Sequence, residues 1–345
     1  MESRIPKVTV LMPVYNCELY IQEAVESILN QTYTDFEFLI IDDASTDKTV
    51  SIIKTYNDSR IQLIEKPVNT GHTSSLNYGL TIAKGKYIAR MDGDDISLPE
   101  RFEKQLAYME SNEDTVVCGT ALSLIGEDNC RKVVVGHEDI KIKLLEGNSI
   151  AHPSVFLRKE TLVNNSVFYD TLMEPAEDYD LWVRLSTFGK LHNLEDCLLK
   201  YRIHDSQVSN VRKRSQENVA IEIRFKLLTL VNDKVTPLEK EVYLKAINPA
   251  EKLDFDEFIL FLAFKSKMLK ANKNGFFDKK GFVMYWSGLE EKCIRYTFKN
   301  RTSYSFTQII QYLSLYRKLN HRLDSMSFIK LTVKSILNYK QKSIN

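Results

Sequence analysis

The segment YIARMDGDD, residues Tyr87–Asp95, is the most informative stretch of this 345-residue chain. Its first half has the apolar composition of a buried strand, and its second half places three carboxylates within four positions. Carboxylates this close repel one another and need a counter-charge to stay ionised. A hard divalent cation supplies one, and Mg²⁺ is typically held by one or two carboxylates together with the phosphates of a substrate. The segment therefore predicts metal-assisted chemistry on a phosphate-bearing compound.

Strand and helix signals alternate on the N-terminal side of this segment. The apolar runs that predict strands and the periodic stretches that predict helices follow one another in this order: 8–12, 19–29, 36–41, 48–56, 61–64 and 73–83. Pro99 then opens a further helix at a favoured position. Strands separated by helices predict a parallel sheet covered on both faces. In such a sheet the ligand site lies at the carboxyl ends of the strands.

Three polar clusters fall at predicted carboxyl ends. Pro13–Asn16 follows the first strand, Asp42–Ser45 the second, and Asp92–Asp95 the fourth. Asp residues after a strand often cap the next helix, and Asp-Gly often makes a simple turn. A helix cap needs only one acceptor, however, so the adjacent Asp42 and Asp43 favour a ligand-binding role for at least one of the two. Glycine-rich phosphate loops and the EF-hand spacing are absent from the sequence, so a metal is expected to hold the phosphates.

A second acidic group spans 174–182 and contains Glu177 and Asp178. It can be read as the acidic first turn of a helix. It is also the best remaining source of a general base, which must be a carboxylate or histidine near the reacting hydroxyl. His204 is a candidate further ligand of the acidic loop, because imidazole is a common metal ligand. Arg90 pairs either with these carboxylates or with a diphosphate, and the sequence leaves both open.

The remaining pattern divides the chain near residue 210. Mixed signals follow residue 115, with strands expected at 116–118, 133–135 and 154–157 and a helix at 178–186. Beyond residue 211 the chain becomes helical, charged and aromatic. We expect an α/β domain over residues 1–210 and a helical C-terminal region over residues 211–345.

The amino-acid composition bears on which partners the protein binds and on which cell compartment it occupies. A formal net charge of +1 carries no signature of nucleic-acid binding. Five cysteines without CxxC spacing favour a reducing, cytoplasmic setting over a zinc site or a disulfide framework. The N-terminus has no signal-peptide pattern, and the longest apolar run, 258–264, is too short to span a bilayer.

The C-terminal 45 residues form a basic tail, with eight Lys/Arg residues against one acidic residue, Asp324. Within it, 328–337 has the pattern of an amphipathic basic helix. Such a helix can lie on an anionic membrane surface. A helix packed on its own domain, or a contact in a homodimer, explains the pattern equally well.

Taken in order, the motifs resemble those of the family 2 glycosyltransferases with the GT-A fold, a mixed, mainly parallel Rossmann-like α/β sheet. The resemblance covers roughly residues 5–210. The matching elements are PVYN (13–16), IDDASTD (41–47), Asn69 with Gly71, NYG (77–79), AKGKYI (83–88), DGDD (92–95), EDYDLW (177–182) and YRIH (201–204).

The resemblance implies roles for several of the matched residues. Asp92-Gly93-Asp94 is similar to the DxD motif that binds Mn²⁺ or Mg²⁺ and the donor diphosphate. Asp94 is the expected direct metal ligand, with His204 completing the site and Asp92 nearer the ribose. Asp178 stands at the position of the general base. The expected donor-binding residues are Pro13, Tyr15, Asn16, Asp43 (toward uracil), Asn77, Arg90, Asp92 and Gly93. The expected acceptor residues are Glu177 and Trp182.

The implied function is inverting transfer of a sugar from a nucleotide diphosphate, expected to be a UDP-sugar. The acceptor would be a saccharide or lipid-linked saccharide, and the β-glycoside would enter capsule, O-antigen or exopolysaccharide. The setting would be the cytoplasm, with peripheral contact to the inner face of the cell membrane. One alternative is a sugar-1-phosphate nucleotidyltransferase, but Pro13–Asn16 replaces the glycine-rich basic loop usual in that class. The other is a non-catalytic nucleotide-sugar-binding module, which would not need Asp92, Asp94 and Asp178 together.

Overall fold

The structure is a computed structural model that describes residues 5–127, 129–204, 207, 212–248, 250–299 and 303–339. The chain divides into two compact units, Met1–Ile223 and Arg224–Asn345. The strands of the first unit are β1 Val8–Val14, β2 Phe36–Asp42, β3 Ile61–Glu65, β4 Tyr87–Arg90, β5 Ile96–Ser97, β6 Thr115–Leu124, β7 Phe156–Arg158 and β8 Lys190–Tyr201.

Among the described residues, seven α-helices lie between these strands, and six more α-helices follow β8. The first seven are α1 Ile21–Leu29, α2 Thr49–Ile53, α3 His72–Ile82, α4 Arg101–Ser111, α5 His137–Leu144, α6 Lys159–Asn164 and α7 Glu177–Leu185. The others are α8 Lys213–Thr229, α9 Pro237–Ile247, α10 Phe255–Ala271, α11 Lys279–Ile294, α12 Phe306–Leu315 and α13 Ser325–Ile336.

Four parallel strands form one half of the sheet, in the order β3-β2-β1-β4. Every residue of β1, β2 and β4 is buried, as expected for strands covered on both faces. Helix α1 covers one face with its apolar stripe of Ile21, Ala24, Val25 and Ile28. The predicted parallel sheet is confirmed. It brings the carboxyl ends of β1, β2 and β4 to one edge.

The other half of the eight-stranded sheet is mixed, in the order β7-β6-β8-β5. Strand β7 joins the halves by pairing antiparallel with both β4 and β6, whereas β8 runs parallel to β6. This arrangement confirms the mixed, mainly parallel fold class. It also brings the end of β8, which leads to His204, back toward the edge that carries the polar clusters.

Two local expectations were wrong. The segment 133–135 lies outside the strands, because Val134 and Val135 give their carbonyls to Asn193 of β8 rather than to a strand ladder. Pro99 does not open α4, which begins at Arg101 after a turn. In that turn the Pro99 carbonyl accepts hydrogen bonds from Thr32.

The second unit is helical, as expected for the C-terminal region, with an aromatic core. The rings of Tyr243, Phe261 and Phe264 pack around Trp286 with centroid distances near 5.8 Å. Capping boxes at Thr236 and Asp254 satisfy the first free N–H groups of α9 and α10. Local capping and aromatic packing thus fix where these helices start and how they meet. Across the described residues, the helices are too short or too polar to cross a membrane.

Gly85 gives a test of the packing between β1 and the turn before β4. A Cβ at this position would lie 2.4 Å from the backbone nitrogen of Thr9 and 2.7 Å from the carbonyl carbon of Val8. Backbone atoms cannot rotate away, so we predict that Gly85→Ala lowers the free energy of unfolding by about 1–3 kcal/mol. Denaturant unfolding measures this change. Gly136→Ala is the matched control, because its Cβ would meet only Asp139 at 3.8 Å. An equal effect of the two substitutions would contradict the packing assignment.

Candidate active site

The loops after β1 and β2 are tied together at the edge of the sheet. Asn16 donates its backbone N–H to Ser45 Oγ at 2.9 Å, and its side-chain oxygen accepts from the backbone N–H of Thr46 at 2.8 Å. Both Asn16 and Ala44 have positive φ, at 52° and 63°. Non-glycine residues adopt this conformation rarely, and it persists where surrounding contacts enforce it. The two loops therefore form one preorganised wall, with Tyr15 exposed on it.

Asp43 is held at the back of this wall. Its carboxylate accepts from Lys66 Nζ at 2.6 Å and from the backbone N–H groups of Thr70 and Gly71 at 3.0 and 2.8 Å. Burial alone would raise the pKa of Asp43, but these donors outweigh it, so the pKa lies below its usual value. The side chain is therefore held ionised and fixed in position by these three donors.

The acidic loop after β4 gathers its carboxylates closely. Oxygen atoms of Asp92, Asp94 and Asp95 all lie within 4.8 Å of one another. Nε2 of His204 lies 2.9 Å from Asp94 Oδ2. Burial, followed by the charge of Asp92, raises the pKa of Asp94. The sequence named Asp94 and His204 as the expected metal ligands, and the structure places them together with Asp92 and Asp95.

This donor set fits a hard divalent cation. Its carboxylate oxygens are the ligands that Mg²⁺ and Mn²⁺ prefer, and its one imidazole is a common metal ligand in proteins. Asp95 Oδ2 is buried and has no hydrogen-bond partner among the described residues. A buried carboxylate oxygen without a hydrogen-bond donor is expected at a site where a bound cation would balance its charge.

Arg202 anchors the acidic loop from the end of β8. Its backbone N–H donates to Asp95 Oδ1 at 2.8 Å, and its Nε donates to the carbonyl of Asp94 at 2.7 Å. Its guanidinium also lies over the ring of Tyr20, 4.6 Å from the centroid. The sequence left Asp95 without a role, and these contacts supply one. Asp95 fastens the loop to β8 and so helps to place His204 beside Asp94.

Arg90 is an internal counter-ion rather than an exposed phosphate contact. It is 3% exposed and forms a two-point ion pair with Asp92, with N–O distances of 2.5 and 2.6 Å. Its Nη2 also donates to Nε2 of His72 at 3.2 Å. The expected contact of Arg90 with the donor stays a prediction, and in the structure its side chain pairs with groups inside the protein.

The second acidic group lies at the start of α7, where the sequence placed it. Asp178 accepts from the side-chain amide of Asn148 at 2.7 Å and from the backbone N–H of Tyr179 at 2.7 Å. Burial is the largest cause of its raised pKa. Burial and the charge of Asp178 also raise the pKa of Glu177 to about 7. A carboxylate with a raised pKa is suited to taking a proton near neutral pH.

Two of the predicted contact residues, Asn77 and Trp182, make contacts within the protein. Asn77 uses both ends of its amide on the backbone of Tyr169, at 2.8 and 3.0 Å. Trp182 is fully buried, with its ring 5.9 Å from that of His152. Asn77 fastens α3 to the segment before α7, and Trp182 packs beside His152. Their expected contacts with donor and acceptor stay predictions.

Two histidines that were not among the expected site residues, His72 and His152, lie close to Glu177. Ligand atoms of His72, His152 and Glu177 lie within 4.8 Å of one another. Burial and the nearby charge of Arg90 lower the pKa of His72 to about 4, and the pKa of His152 also falls well below its usual value. Both imidazoles are neutral, and Arg90 occupies the Nε2 lone pair of His72. These side chains are better suited to binding a neutral polar group than a second cation.

Asp95 gives a pH test of the loop. Burial, then the charges of Asp92 and Asp94, raise the pKa of Asp95 to about 8, against about 4 in an unfolded chain. Because the folded state favours the protonated form, stability is lost as the pH rises from about 4 to about 8. Without metal, we predict that Asp95→Asn becomes progressively more stable than the wild type between pH 5 and pH 8. Thermal melts in a chelating buffer measure this. A difference that does not change with pH would contradict the assignment.

Comparison with known proteins places this geometry in a family. Residues 9–162 match the family model described as Glycosyl transferase family 2. The chain is 34% identical to an uncharacterized glycosyltransferase of Haemophilus influenzae, over 72% of this chain and 80% of the relative. It is 36% identical to the O-antigen biosynthesis glycosyltransferase WbnJ of Escherichia coli, over 57% of this chain and 80% of that protein.

Solved structures agree on the fold. Residues 1–349 of S. aureus TarS, in complex with UDP-GlcNAc, match with a TM-score of 0.56 at 18% identity, over 92% of this chain and 94% of that chain. The mannosyltransferase PcManGT from Pyrobaculum calidifontis, in complex with GDP-Man and Mn²⁺, matches with a TM-score of 0.50 at 16% identity, over 84% and 86%. The chain therefore has the GT-A fold and belongs to glycosyl transferase family 2.

Proposed function

We propose that this glycosyltransferase is metal-dependent and inverting, and that it transfers a sugar from a UDP-sugar to a hydroxyl of a saccharide or lipid-linked saccharide. The observation that carries the proposal is that two acidic groups lie near one buried guanidinium, that of Arg90. Asp92 binds Arg90 directly, and the charge of Arg90 also acts on the carboxyl groups of Asp178 and Glu177. The Asp92–Asp95 loop suits a divalent cation and a diphosphate. The pair Glu177 and Asp178 suits removal of a proton from the acceptor.

The proposed cation site consists of Asp94 and His204, with Asp92 and Asp95 contributing negative charge. A divalent cation bound there would act as a Lewis acid and stabilise the charge that develops on the departing diphosphate. Arg202 and Arg90 hold the loop in shape before any ligand arrives. Preorganised groups of this kind need no rearrangement as charge develops.

Asp178 is the proposed general base. The acceptor oxygen attacks the anomeric carbon as its proton passes to Asp178. The bond from that carbon to the diphosphate breaks, and its electron pair leaves with UDP. A single displacement inverts the anomeric configuration, so an α-linked donor gives a β-glycoside. Asn148 donates to Asp178 Oδ2 at 2.7 Å and so fixes the orientation of the carboxylate.

The wall formed by Pro13, Tyr15, Asn16 and Asp43 is the proposed nucleoside site. Gly93 lies against it, because a Cβ there would come within 3.0 Å of Val14. The two fold neighbours carry different donors, UDP-GlcNAc and GDP-Man. An ionised Asp43 suits the N3–H of uracil, which favours UDP.

The pathway proposed is assembly of a cell-surface polysaccharide. The O-antigen name of the relative WbnJ supports it. The described cysteines are unpaired, which fits a cytoplasmic site of action. Family membership disfavours both alternatives raised by the sequence, a nucleotidyltransferase and a non-catalytic binding module. The domain boundary near residue 210 and the homodimer stay predictions. Peripheral membrane contact also stays a prediction, and it would use a surface in the helical unit.

The proposal predicts separable effects on binding and turnover. UDP release should be measured with a panel of UDP-sugars and GDP-mannose, with Mn²⁺, Mg²⁺ or chelator. We expect release from a UDP-sugar that requires the metal. Asp178→Asn should lower kcat by about 10²–10⁴-fold, because it removes the base. Its affinity for UDP, measured by calorimetry, should stay unchanged, because the carboxylate of Asp178 is bound by Asn148 and Tyr179 rather than by the nucleoside wall.

Asp196→Asn is the matched control, since Asp196 pairs with Lys104 in an exposed surface ion pair. It should keep both turnover and UDP affinity. Full turnover in Asp178→Asn would refute the assigned base. Loss of UDP affinity in that variant would place Asp178 in the donor site instead. Release from GDP-mannose alone would overturn the choice of UDP while leaving the transferase assignment intact.

A further inference from the structure

Helix α13, Ser325–Ile336, packs against the protein with its less apolar face. The side chains that it buries are Ser327, Leu331 and Ser335. On the opposite side, five apolar side chains from this helix and the residue after it are between 49% and 70% exposed: Met326, Ile329, Val333, Ile336 and Leu337. At 100° per residue these five fall within one sector of the helix. A helix that only stabilised its own domain would turn this sector inward.

The neighbouring helix α12 repeats the feature. It buries Ile309, Tyr312 and Leu315 and leaves Phe306, Ile310 and Leu313 more than half exposed. The exposed three are spaced by four and three positions, so they also share one face. The two helices contact each other through the rings of Tyr312 and Phe328, 5.6 Å apart. Adjacent elements that both expose apolar faces mark an interaction surface rather than scattered exposure.

The charged residues in this part of the chain are almost all positive. Between Phe306 and Leu337 the chain has five basic residues, Arg317, Lys318, Arg322, Lys330 and Lys334, and one acidic residue, Asp324. Asp324 is used as the N-cap of α13, where it accepts from the backbone N–H of Ser327 at 2.8 Å. Lys330 is exposed and lies one position after Ile329 and three before Val333, at the border of the apolar sector.

This charge balance decides between two occupants. A second copy of the chain would bring the same basic residues face to face, since a two-fold contact uses the same patch on both partners. Like charges opposed in this way weaken association. An anionic lipid surface is complementary in both respects, because it takes apolar side chains below its headgroups and attracts lysine and arginine above them.

We propose that α12 and α13 form a peripheral docking surface for anionic phospholipid membranes. The apolar residues of α13 enter the headgroup boundary, and Lys330 and its basic neighbours contact the lipid phosphates. The surface lies in the helical unit and is independent of the proposed donor and acceptor, so either assignment can fail without the other.

Vesicle flotation of the full chain tests the surface. Phosphatidylcholine vesicles are compared with vesicles that also contain phosphatidylglycerol. We expect binding to the anionic vesicles that weakens as salt is raised. Ile329→Gln combined with Ile336→Gln should weaken partitioning at least roughly tenfold, because it removes buried apolar area. Lys330→Ala should weaken it about fivefold.

Leu238→Gln combined with Met284→Gln is the matched control. These residues belong to the same unit and are 50% and 64% exposed. The control should float like the wild type, and all variants should keep wild-type thermal unfolding and wild-type UDP release with a water-soluble acceptor. No binding to anionic vesicles, or equal binding by all variants, would overturn the proposal. A wild-type dimer that becomes a monomer only in the Ile329/Ile336 variant would assign the surface to a second copy instead.

Discussion

The buried ion pair between Arg90 and Asp92 is the interaction on which the site depends. A guanidinium that is 3% exposed needs a partner, and the two-point contact with Asp92 supplies it. The same guanidinium contacts His72, and its charge acts on the acidic group at the start of α7. Without the positive charge of Arg90, the negative charges of the two acidic groups would not be balanced inside the protein. Arg90 therefore lets the chain concentrate negative charge at one sheet edge before a metal or substrate arrives.

Much of this arrangement could be predicted from sequence because it follows from strand periodicity. Alternating strands and helices imply parallel strands, and parallel strands bring their carboxyl ends to one edge. Asp43 and Asp94 could therefore be placed on that edge without coordinates. The association of His204 with Asp94 was also anticipated from the order of motifs, and the 2.9 Å distance agrees with it. Its role as a metal ligand stays a prediction.

Residues whose role depends on contacts distant in the sequence could not be predicted in the same way. Asn77 and Trp182 belong to motif-like stretches, yet their side chains are used within the framework, which only tertiary packing reveals. Asn148 and His72 lie in segments without a distinctive pattern, and they meet Asp178 and Arg90 across 30 and 18 residues. The exposed apolar sector of α13 shows the same limit. Its periodicity was visible in the sequence, but which face turns outward was not.

The central claim is that the loop Asp92–Asp95 and His204 bind a divalent cation together with a nucleoside diphosphate. Titration of Mn²⁺ into the protein, followed by electron paramagnetic resonance with and without UDP, tests it most directly. The account predicts that the wild type binds Mn²⁺ more tightly when UDP is present, and that Asp94→Asn loses this binding while Asp114→Asn, a change in an exposed ion pair with Lys190, keeps it. Wild-type Mn²⁺ affinity in Asp94→Asn, or Mn²⁺ binding that UDP does not change, would contradict it.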